Sequence, residues 1–299
     1  MKILITGANG FLGHYLTGLL LEKGYTVIAT GVGDCRLPFT GQKGFTYSTL
    51  DFTNPFEVHD VFIKFQPDVV VHAGAMSKPD ECEKDQWQAY VVNVEGTVTL
   101  LLNAEEYKCF FIFISTDFVF SGNEGMYREN DVRDPVNFYG KTKMEAEDAV
   151  MEYDYDWAVV RTVLVYGEPV TGRTNILKVV EDKLRKGEEY KVFNDQVRTP
   201  TYVGDLAAGI VLIIEKKAKG LFHISGEDVM TLYDMSCTVA DFLALDKGLL
   251  QKITESELVQ PAKRPLKTGF IIDKAKSELG YQPLSFSMGL ALTFRNIYT

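Results

Sequence analysis

The chain has 299 residues, 46% of them apolar, and a formal net charge of −10. That length and apolar fraction allow a substantial buried core, organised as one large domain or two smaller ones. The acidic balance argues against nucleic acid, whose phosphates the overall field would repel and whose binders carry a basic footprint.

Lys2-Ile3-Leu4-Ile5 is a strand-length apolar run that breaks at Thr6-Gly7-Ala8-Asn9-Gly10-Phe11-Leu12-Gly13 into an apolar-periodic helix, His14 to Lys23. Gly7 suits the tight turn, Gly10 lets backbone approach a pyrophosphate, and Gly13 lets helix and strand pack closely. The helix N-terminus then points free N–H groups at the phosphates. The spacing departs from G-x-G-x-x-G, and an ordinary strand-to-helix turn uses glycine for the same steric reasons, so the triplet alone leaves cofactor binding open.

Gly24 to Thr30 reads as a second parallel strand, ending at Gly31-Val32-Gly33 with Asp34 and Arg36 beyond. An acid at that point would bind the adenosine ribose hydroxyls and repel a 2′-phosphate; its absence predicts NADPH, with NADH as the alternative. Arg36 reads either as a phosphate partner or as a solvated loop arginine. Asp51, at the end of a third strand, could accept from the adenine amine or cap the helix that starts near Asn54-Pro55.

Val69-Val70-Val71, Phe110 to Ile114 and Trp157 to Val160 continue the series of strands, alternating with amphipathic helices. The pattern predicts an α/β, Rossmann-type doubly wound parallel sheet with a smaller C-terminal α/β substrate lobe. The expected division is a dinucleotide domain over 1–165, with later segments threading back, and a lobe over 166–299. Ligands in such sheets bind beyond the strand C-termini. His72-Ala73-Gly74-Ala75, Ser115-Thr116-Asp117 and Arg161-Thr162 fall there and should converge on one crevice. After Tyr166-Gly167 the spacing predicts helices over 175–186, 202–217, 232–243 and 273–279, and strands over 190–193 and 221–224.

The longest compact apolar run, Phe110 to Ile114, is strand length, and no signal peptide precedes the first strand, so cytoplasm is expected and a membrane span is not. The four cysteines are widely spaced and the four histidines show no ligand spacing, so no metal site is predicted. Lys191, Arg198, Lys263 and Arg264 could hold a phosphate-bearing ligand in the second half, or lie solvated on the surface.

The reacting groups come from Tyr139-Gly140-Lys141-Thr142-Lys143, downstream of Ser115-Thr116-Asp117. Residues four apart on a helix share a face. A phenol with a reference pKa near 10 is a poor acid at neutral pH, but an ammonium beside it, with an oxidised nicotinamide, stabilises the phenolate. Tyr139 would give the proton, Lys143 would bond to the nicotinamide ribose, and Thr116 would donate to a substrate carbonyl. Tyr-x-x-x-Lys is common by chance on helices; its place behind a glycine turn and after a fifth strand's Ser-Thr makes a redox enzyme the leading reading.

These landmarks resemble, in order, the extended short-chain dehydrogenase/reductase family and within it the dTDP-4-dehydrorhamnose reductase group. They are Gly7-x-x-Gly10-x-x-Gly13, Asp51, Asn93-Val-Glu-Gly96-Thr97, Ser115 to Phe120, Tyr139-x-x-x-Lys143, Arg161-Thr162 and Val165-Tyr166-Gly167. Asn194 to Tyr202 with Asp205-Leu206-Ala207, and Arg264-Pro265-Leu266, are similar to stretches near the sugar nucleotide in that group. The resemblance implies a catalytic triad of Thr116, Tyr139 and Lys143. It implies cofactor contacts from Gly7, Asn9, Gly10, Phe11, Leu12, Gly13, Arg36, Asp51, Phe52, Ala73, Gly74, Ala75, Asn93, Tyr139 and Lys143. Substrate contacts would come from Ser77, Asp117, Phe118, Val119, Arg198, Thr199 and Arg264. The implied reaction is NADPH-dependent reduction of the 4-keto group of a dTDP-linked 6-deoxysugar to give dTDP-L-rhamnose, and a homodimer is compatible with it. Phe118 stands where related 4,6-dehydratases carry a glutamate, which argues against dehydration; the reductases usually have tyrosine there, and His72-Ala73-Gly74-Ala75 replaces their commoner Asn-Ala-Ala. Two alternatives remain: an NAD-dependent sugar-nucleotide epimerase or dehydrogenase, and a non-catalytic partner of a methionine adenosyltransferase.

Overall fold

The computed structural model describes residues 1–169 and 174–294. In chain order the first half is β1 (Lys2–Thr6), α1 (Phe11–Glu22), β2 (Thr26–Gly31), β3 (Phe45–Thr49), α2 (Pro55–Phe65), β4 (Val69–His72), α3 (Pro79–Lys84), α4 (Gln86–Tyr90), α5 (Gly96–Glu106), β5 (Phe110–Thr116), α6 (Phe138–Met151) and β6 (Trp157–Thr162). There follow β7 (Val165–Tyr166), α7 (Ile176–Arg185), β8 (Tyr190–Phe193), β9 (Val197–Arg198), β10 (Thr201–Tyr202), α8 (Val203–Lys216), β11 (Gly220–His223), β12 (Met230–Thr231), α9 (Leu232–Phe242), β13 (Leu250–Ile253) and α10 (Phe286–Thr293). A π-helical turn, Val91–Glu95, joins α4 to α5.

Seven parallel strands form the main sheet in the order β11-β6-β5-β4-β1-β2-β3. The chain winds outward from β1 in one direction through β2 and β3, and from β4 in the other. The order therefore reverses between β1 and β4, the place beyond the strand ends where sheets of this kind bind ligands. Alternate side chains feed two cores. Ile3, Ile5, Ala29, Val71, Ile112 and Val160 meet α1 and α8 through Leu16, Leu20, Ile210 and Ile213. Leu4, Ile28, Val70, Phe111, Phe113 and Val159 meet α2, α5 and α6 through Phe62, Leu100, Ala146 and Val150. This two-sided burial is why the strands read as continuous apolar runs. Each buried aliphatic or phenyl side chain contributes about 1.5–3 kcal/mol. A third core, with Tyr166, Leu177, Val180, Met235, Val239, Leu250 and Leu290, lies among α7, α9, α10, β8 and β13.

Three differences from expectation have physical causes. Strands β5 and β6 each run two residues past their apolar stretch, so Thr116, Arg161 and Thr162 are strand residues. Arg161 is tolerated inside the sheet because its guanidinium pairs twice with Glu147, at 2.9 and 2.7 Å. The 273–279 segment is π-helical over Ala275–Leu279 and stops at left-handed Gly280. Helix α10, capped by Ser285, and strand β13, paired with β8, lay in stretches without a clear period.

Helix α6 rests against a short 3₁₀ turn, Asp117–Val119, that follows β5. A Cβ at Gly140 would overlap the Phe118 carbonyl oxygen, so only glycine allows the approach. Alanine raises helix propensity by about 1 kcal/mol, but forcing a methyl into packed backbone costs about 1–3 kcal/mol or more. With the Cβ driven into a backbone oxygen the cost falls at the upper end, so Gly140→Ala is expected to lower stability, net of the propensity gain, by about 2 kcal/mol or more in urea unfolding. A neutral or stabilising result would mean that α6 can lift off the turn.

Candidate active site

The glycine turn is built as a cradle. Gly7 has φ +68° and packs on the backbone of Ala73 and Gly74 so closely that a Cβ would lie 2.8 Å from Gly74. At Gly13 a Cβ would lie 2.5 Å from Ala8, which fixes the angle between turn and helix. Helix α1 starts from Gly10 with no side-chain cap and no acid in its first turn. Its first N–H groups thus remain available to an anion, and a dinucleotide pyrophosphate fits this cradle.

Asn9 faces away from the cradle. Its Nδ2 donates to the Asp34 carbonyl at 3.0 Å and to Tyr47 Oη at 2.8 Å, and its Oδ1 accepts from Arg36 N at 2.9 Å. A side chain at Gly31 would crowd Asn9 and Tyr47, so the position that an acid would occupy is filled by this latch. Arg36 is held by its backbone, and its side chain is exposed. Of the two readings for Asp51, capping is overturned: Asn54 caps α2 by accepting from Phe56 N, while Asp51 Oδ1 accepts from Thr53 N and Oγ1 at 3.0 and 2.7 Å. Phe52 lies where a Cβ on either Gly74 or Gly96 would strike its ring, and that ring is 5.0 Å from His72. Asn93 is fully used: Oδ1 accepts from Met76 N at 2.8 Å, and Nδ2 donates to Met76 O and Thr142 Oγ1, each at 3.0 Å. It ties the 73–77 loop, which carries Ala75 and Ser77, to α6.

The three reacting residues come from two elements in contact. Thr116 ends β5, and its hydroxyl donates to Asp117 Oδ1 at 3.1 Å while accepting from Phe118 N at 3.2 Å. Asn137 caps α6 by accepting from Gly140 N at 2.9 Å. The Tyr139 ring meets Phe118 edge to face at 5.8 Å. Lys143 is 2% exposed, with its Nζ 3.8 Å from the centre of the Phe113 ring. Burial lowers its pKa to about 7, against the opposing pull of Glu147. An ammonium over a ring face recovers part of the lost hydration.

Arg198 is buried and donates to the carbonyls of Val197, Leu266 and Pro265 at 2.8, 2.9 and 2.7 Å, with Nε 3.7 Å from Asp117 Oδ2. Thr268 donates to the same Asp117 carboxylate, whose pKa burial raises. Arg264 grips Asp80 with both terminal nitrogens, at 2.5 and 2.9 Å. The two arginines expected at substrate phosphate are thus occupied in fixing the 262–268 segment, to which Asn137 adds a bond to Lys263 O at 2.7 Å. Thr199 and Val119 have no exposed surface; the Thr199 hydroxyl donates to Ser225 Oγ and accepts from Phe270 N. Arg161 lies inside the protein with Glu147, outside the crevice. Phe118 and Ser77 keep partial exposure. The sequence reading gave no role to the side chains of Thr6, Thr97, Thr142, Glu147 and Asp80, whose partners lie 14 to 184 positions away.

The fold defines a Rossmann-type α/β protein in which Thr116, Tyr139 and Lys143 are carried on neighbouring elements. The chain belongs to the family described as RmlD substrate binding domain, whose model matches residues 1–299. It is 34% identical over 270 residues to methionine adenosyltransferase 2 subunit beta of Bos taurus, covering 88% of this chain and 78% of that one. It is 30% identical over 302 residues to dTDP-4-dehydrorhamnose reductase of Aggregatibacter actinomycetemcomitans, covering 97% of each. A crystal structure of dTDP-4-dehydrorhamnose reductase from Bacillus anthracis str. Ames in complex with NADP superposes with a TM-score of 0.87 over 99% of both chains, at 26% identity. No helix among the described residues is long and apolar enough to cross a membrane. Nor is any group of three or more His, Cys, Asp or Glu among them placed to hold a metal.

Lys143 supplies a pH test. Its folded pKa lies below the ordinary 10.5, so from about 7 to 10.5 the unfolded chain binds more protons and stability rises with pH. Below that window the cost of burying the ammonium is present in full. Lys143→Met is expected to stabilise the cofactor-free protein by on the order of a few kcal/mol at about pH 6 and by less at about pH 9.5. Urea unfolding at both pH values checks the sign; equal effects would place the lysine's charge in water.

Proposed function

We propose that the chain is an NADPH-dependent reductase of the 4-keto group of a nucleotide-linked 6-deoxysugar, the dTDP-4-dehydrorhamnose reductase activity. The observation that carries this is the seating of Tyr139 and Lys143 on a helix pressed against the turn that follows Thr116, with the lysine buried over the Phe113 ring. The full-length match to a reductase and the NADP-bound neighbour support it.

Gly7 to Gly13 would hold the pyrophosphate of a dinucleotide, and Asp51, Phe52, Ala73, Gly74, Ala75 and Asn93 would supply or support further contacts to it. When bound, NADPH supplies the hydride. Thr116 donates to the sugar carbonyl by turning its hydroxyl from Asp117 to the substrate. Tyr139 gives the proton to the developing alkoxide, and Lys143 holds the ribose and lowers the cost of the phenolate. The sugar nucleotide lies between Phe118, Ser77 and the 262–268 segment, with Arg198 and Arg264 fixing that segment. Residues 1–165, with α8 and β11 threading back onto the sheet, would act as the cofactor domain, and the rest of 166–299 as the substrate lobe. The location is cytoplasmic.

Tyr139→Phe is expected to lower turnover of a dTDP-4-keto-6-deoxysugar by at least about 100-fold while leaving NADPH affinity near wild type. Loss of reduced-nicotinamide absorbance measures the rate, and comparable turnover in the variant would remove Tyr139 as donor. NADPH should be preferred to NADH. Arg36→Ala should weaken NADPH by roughly tenfold and NADH little, a phosphate contact being worth about 1.5–3 kcal/mol before solvent screening. Equal effects on both cofactors would place Arg36 away from the 2′-phosphate.

A second reading rests on the 34% identity to a methionine adenosyltransferase subunit: a dinucleotide-binding regulatory partner of such an enzyme. Stoichiometric co-purification with a methionine adenosyltransferase, without turnover of any ketosugar, would favour it.

A further inference from the structure

We infer that His72 is a positioning residue that couples the glycine turn to the Tyr139–Lys143 helix through one continuous buried hydrogen-bond chain; this deepens the reductase reading and rests on it. The chain begins where Gly74, packed on Gly7, donates its N–H to Thr6 Oγ1 at 3.3 Å. The Thr6 hydroxyl lies 2.6 Å from His72 Nδ1, and His72 Nε2 lies 3.1 Å from Thr97 Oγ1. Thr97 donates its single proton to Asn93 O at 2.8 Å. It can therefore only accept from the imidazole, which fixes His72 as the Nε2–H tautomer and makes Nδ1 the acceptor for Thr6. From Asn93 the chain continues through Nδ2 to Thr142 Oγ1 at 3.0 Å, and Thr142 donates to Tyr139 O at 2.9 Å.

Thr6, His72, Asn93, Thr97 and Thr142 are each at most 1% exposed. Every hydroxyl in the chain has one proton and one direction, so no link can turn without breaking its neighbour. Packing gives no reason for an imidazole at this point: β4 is otherwise Val69-Val70-Val71, and the ring lies among Phe52, Phe111 and Phe113. Burial, aided by the nearby Lys143, holds the imidazole far below its ordinary pKa and therefore neutral, as the chain requires. Asn93 sits in the π-helical turn, where its carbonyl receives Thr97 and its side chain reaches α6. A dinucleotide that loads the turn at Gly7 and Gly74 thus presses on one end, and the carbonyl of Tyr139 is the other.

Thr97→Val keeps the side-chain volume but removes both the acceptor for His72 and the donor to Asn93 O; Thr97→Ser restores both. The full chain is followed by amide hydrogen exchange at residues 138–143 with and without NADPH, by NADPH affinity, and by ketosugar kinetics. In the wild type NADPH should slow exchange there by at least about tenfold. In Thr97→Val that protection should be mostly lost and kcat should fall by about tenfold, with NADPH affinity and ketosugar KM within about threefold; Thr97→Ser should recover both. Protection and kcat left intact in Thr97→Val, even with a lower Tm, would overturn the coupling. Should Thr97→Val fail to fold, Thr142→Val cuts the last link and is held to the same outcomes. The exchange measurement needs no sugar, so a wild type without turnover would defeat the reductase reading while leaving the coupling to be decided by NADPH alone.

Discussion

The flush contact of α6 on the turn after β5 is the constraint from which the site follows. Gly140 brings helix backbone against the Phe118 carbonyl, and Asn137 caps the helix at that level while its amide holds Lys263. Tyr139 then meets Phe118, and one turn later Lys143 lies over Phe113. The substrate would stand between groups carried by a strand end and a helix start, so a shift of an ångström in either would misalign the transfer. Rigid elements set this separation.

The charges buried behind the contact explain the lysine's unusual state. Glu147, one turn beyond Lys143, has no exposed surface and is bound by Arg161 twice and by Arg133 at 3.1 Å. A carboxylate so fully engaged offers Lys143 little compensation, and burial outweighs it. Removing one partner from such a network strands a buried charge, typically at 3–5 kcal/mol, which keeps the network intact once formed. Asp117 and Arg198 repeat the arrangement on the other side of Thr116, with Thr268 as a further donor. Two ionic anchors thus lie near Thr116 and Lys143: one ties β6 to α6 and the 129–133 loop, the other ties the end of β5 to the distant Arg198 and Thr268.

Much of this was legible in the sequence. All seven strands of the main sheet and the principal helices of both halves fell within a few residues of their places, because strands buried on both faces and amphipathic helices write distinct periods. Tyr139 and Lys143 stood out by their place behind a glycine turn and after the fifth strand's Ser-Thr, since their spacing alone is common on helices. Legibility failed where a polar side chain is satisfied by tertiary contact. Arg161 reads as a crevice residue until Glu147 is seen beside it, Arg264 as a phosphate ligand until Asp80 is, and His72 as an ordinary core imidazole until Thr6 and Thr97 flank it. Those partners lie 14 to 184 positions away, and no local pattern announces them. Helix α10 was missed for a different reason: its stability comes from burying Phe286 and Leu290 in the third core, not from its own weak period.

Higher identity to a regulatory subunit than to a reductase does not decide between the two roles, since identity averages over the whole chain and function resides in the site. A protein that only binds a dinucleotide needs the cradle at Gly7 to Gly13 and an open α1 N-terminus. A ribose contact would give such a protein a use for Lys143, but none for Tyr139 four residues before it on a helix that a glycine contact holds against the turn after β5. Perturbed groups gather where protons are moved, and burial lowers the Lys143 pKa to about 7. The seating of a phenol one turn from that buried lysine is therefore the feature of this fold that a proton-transfer role accounts for.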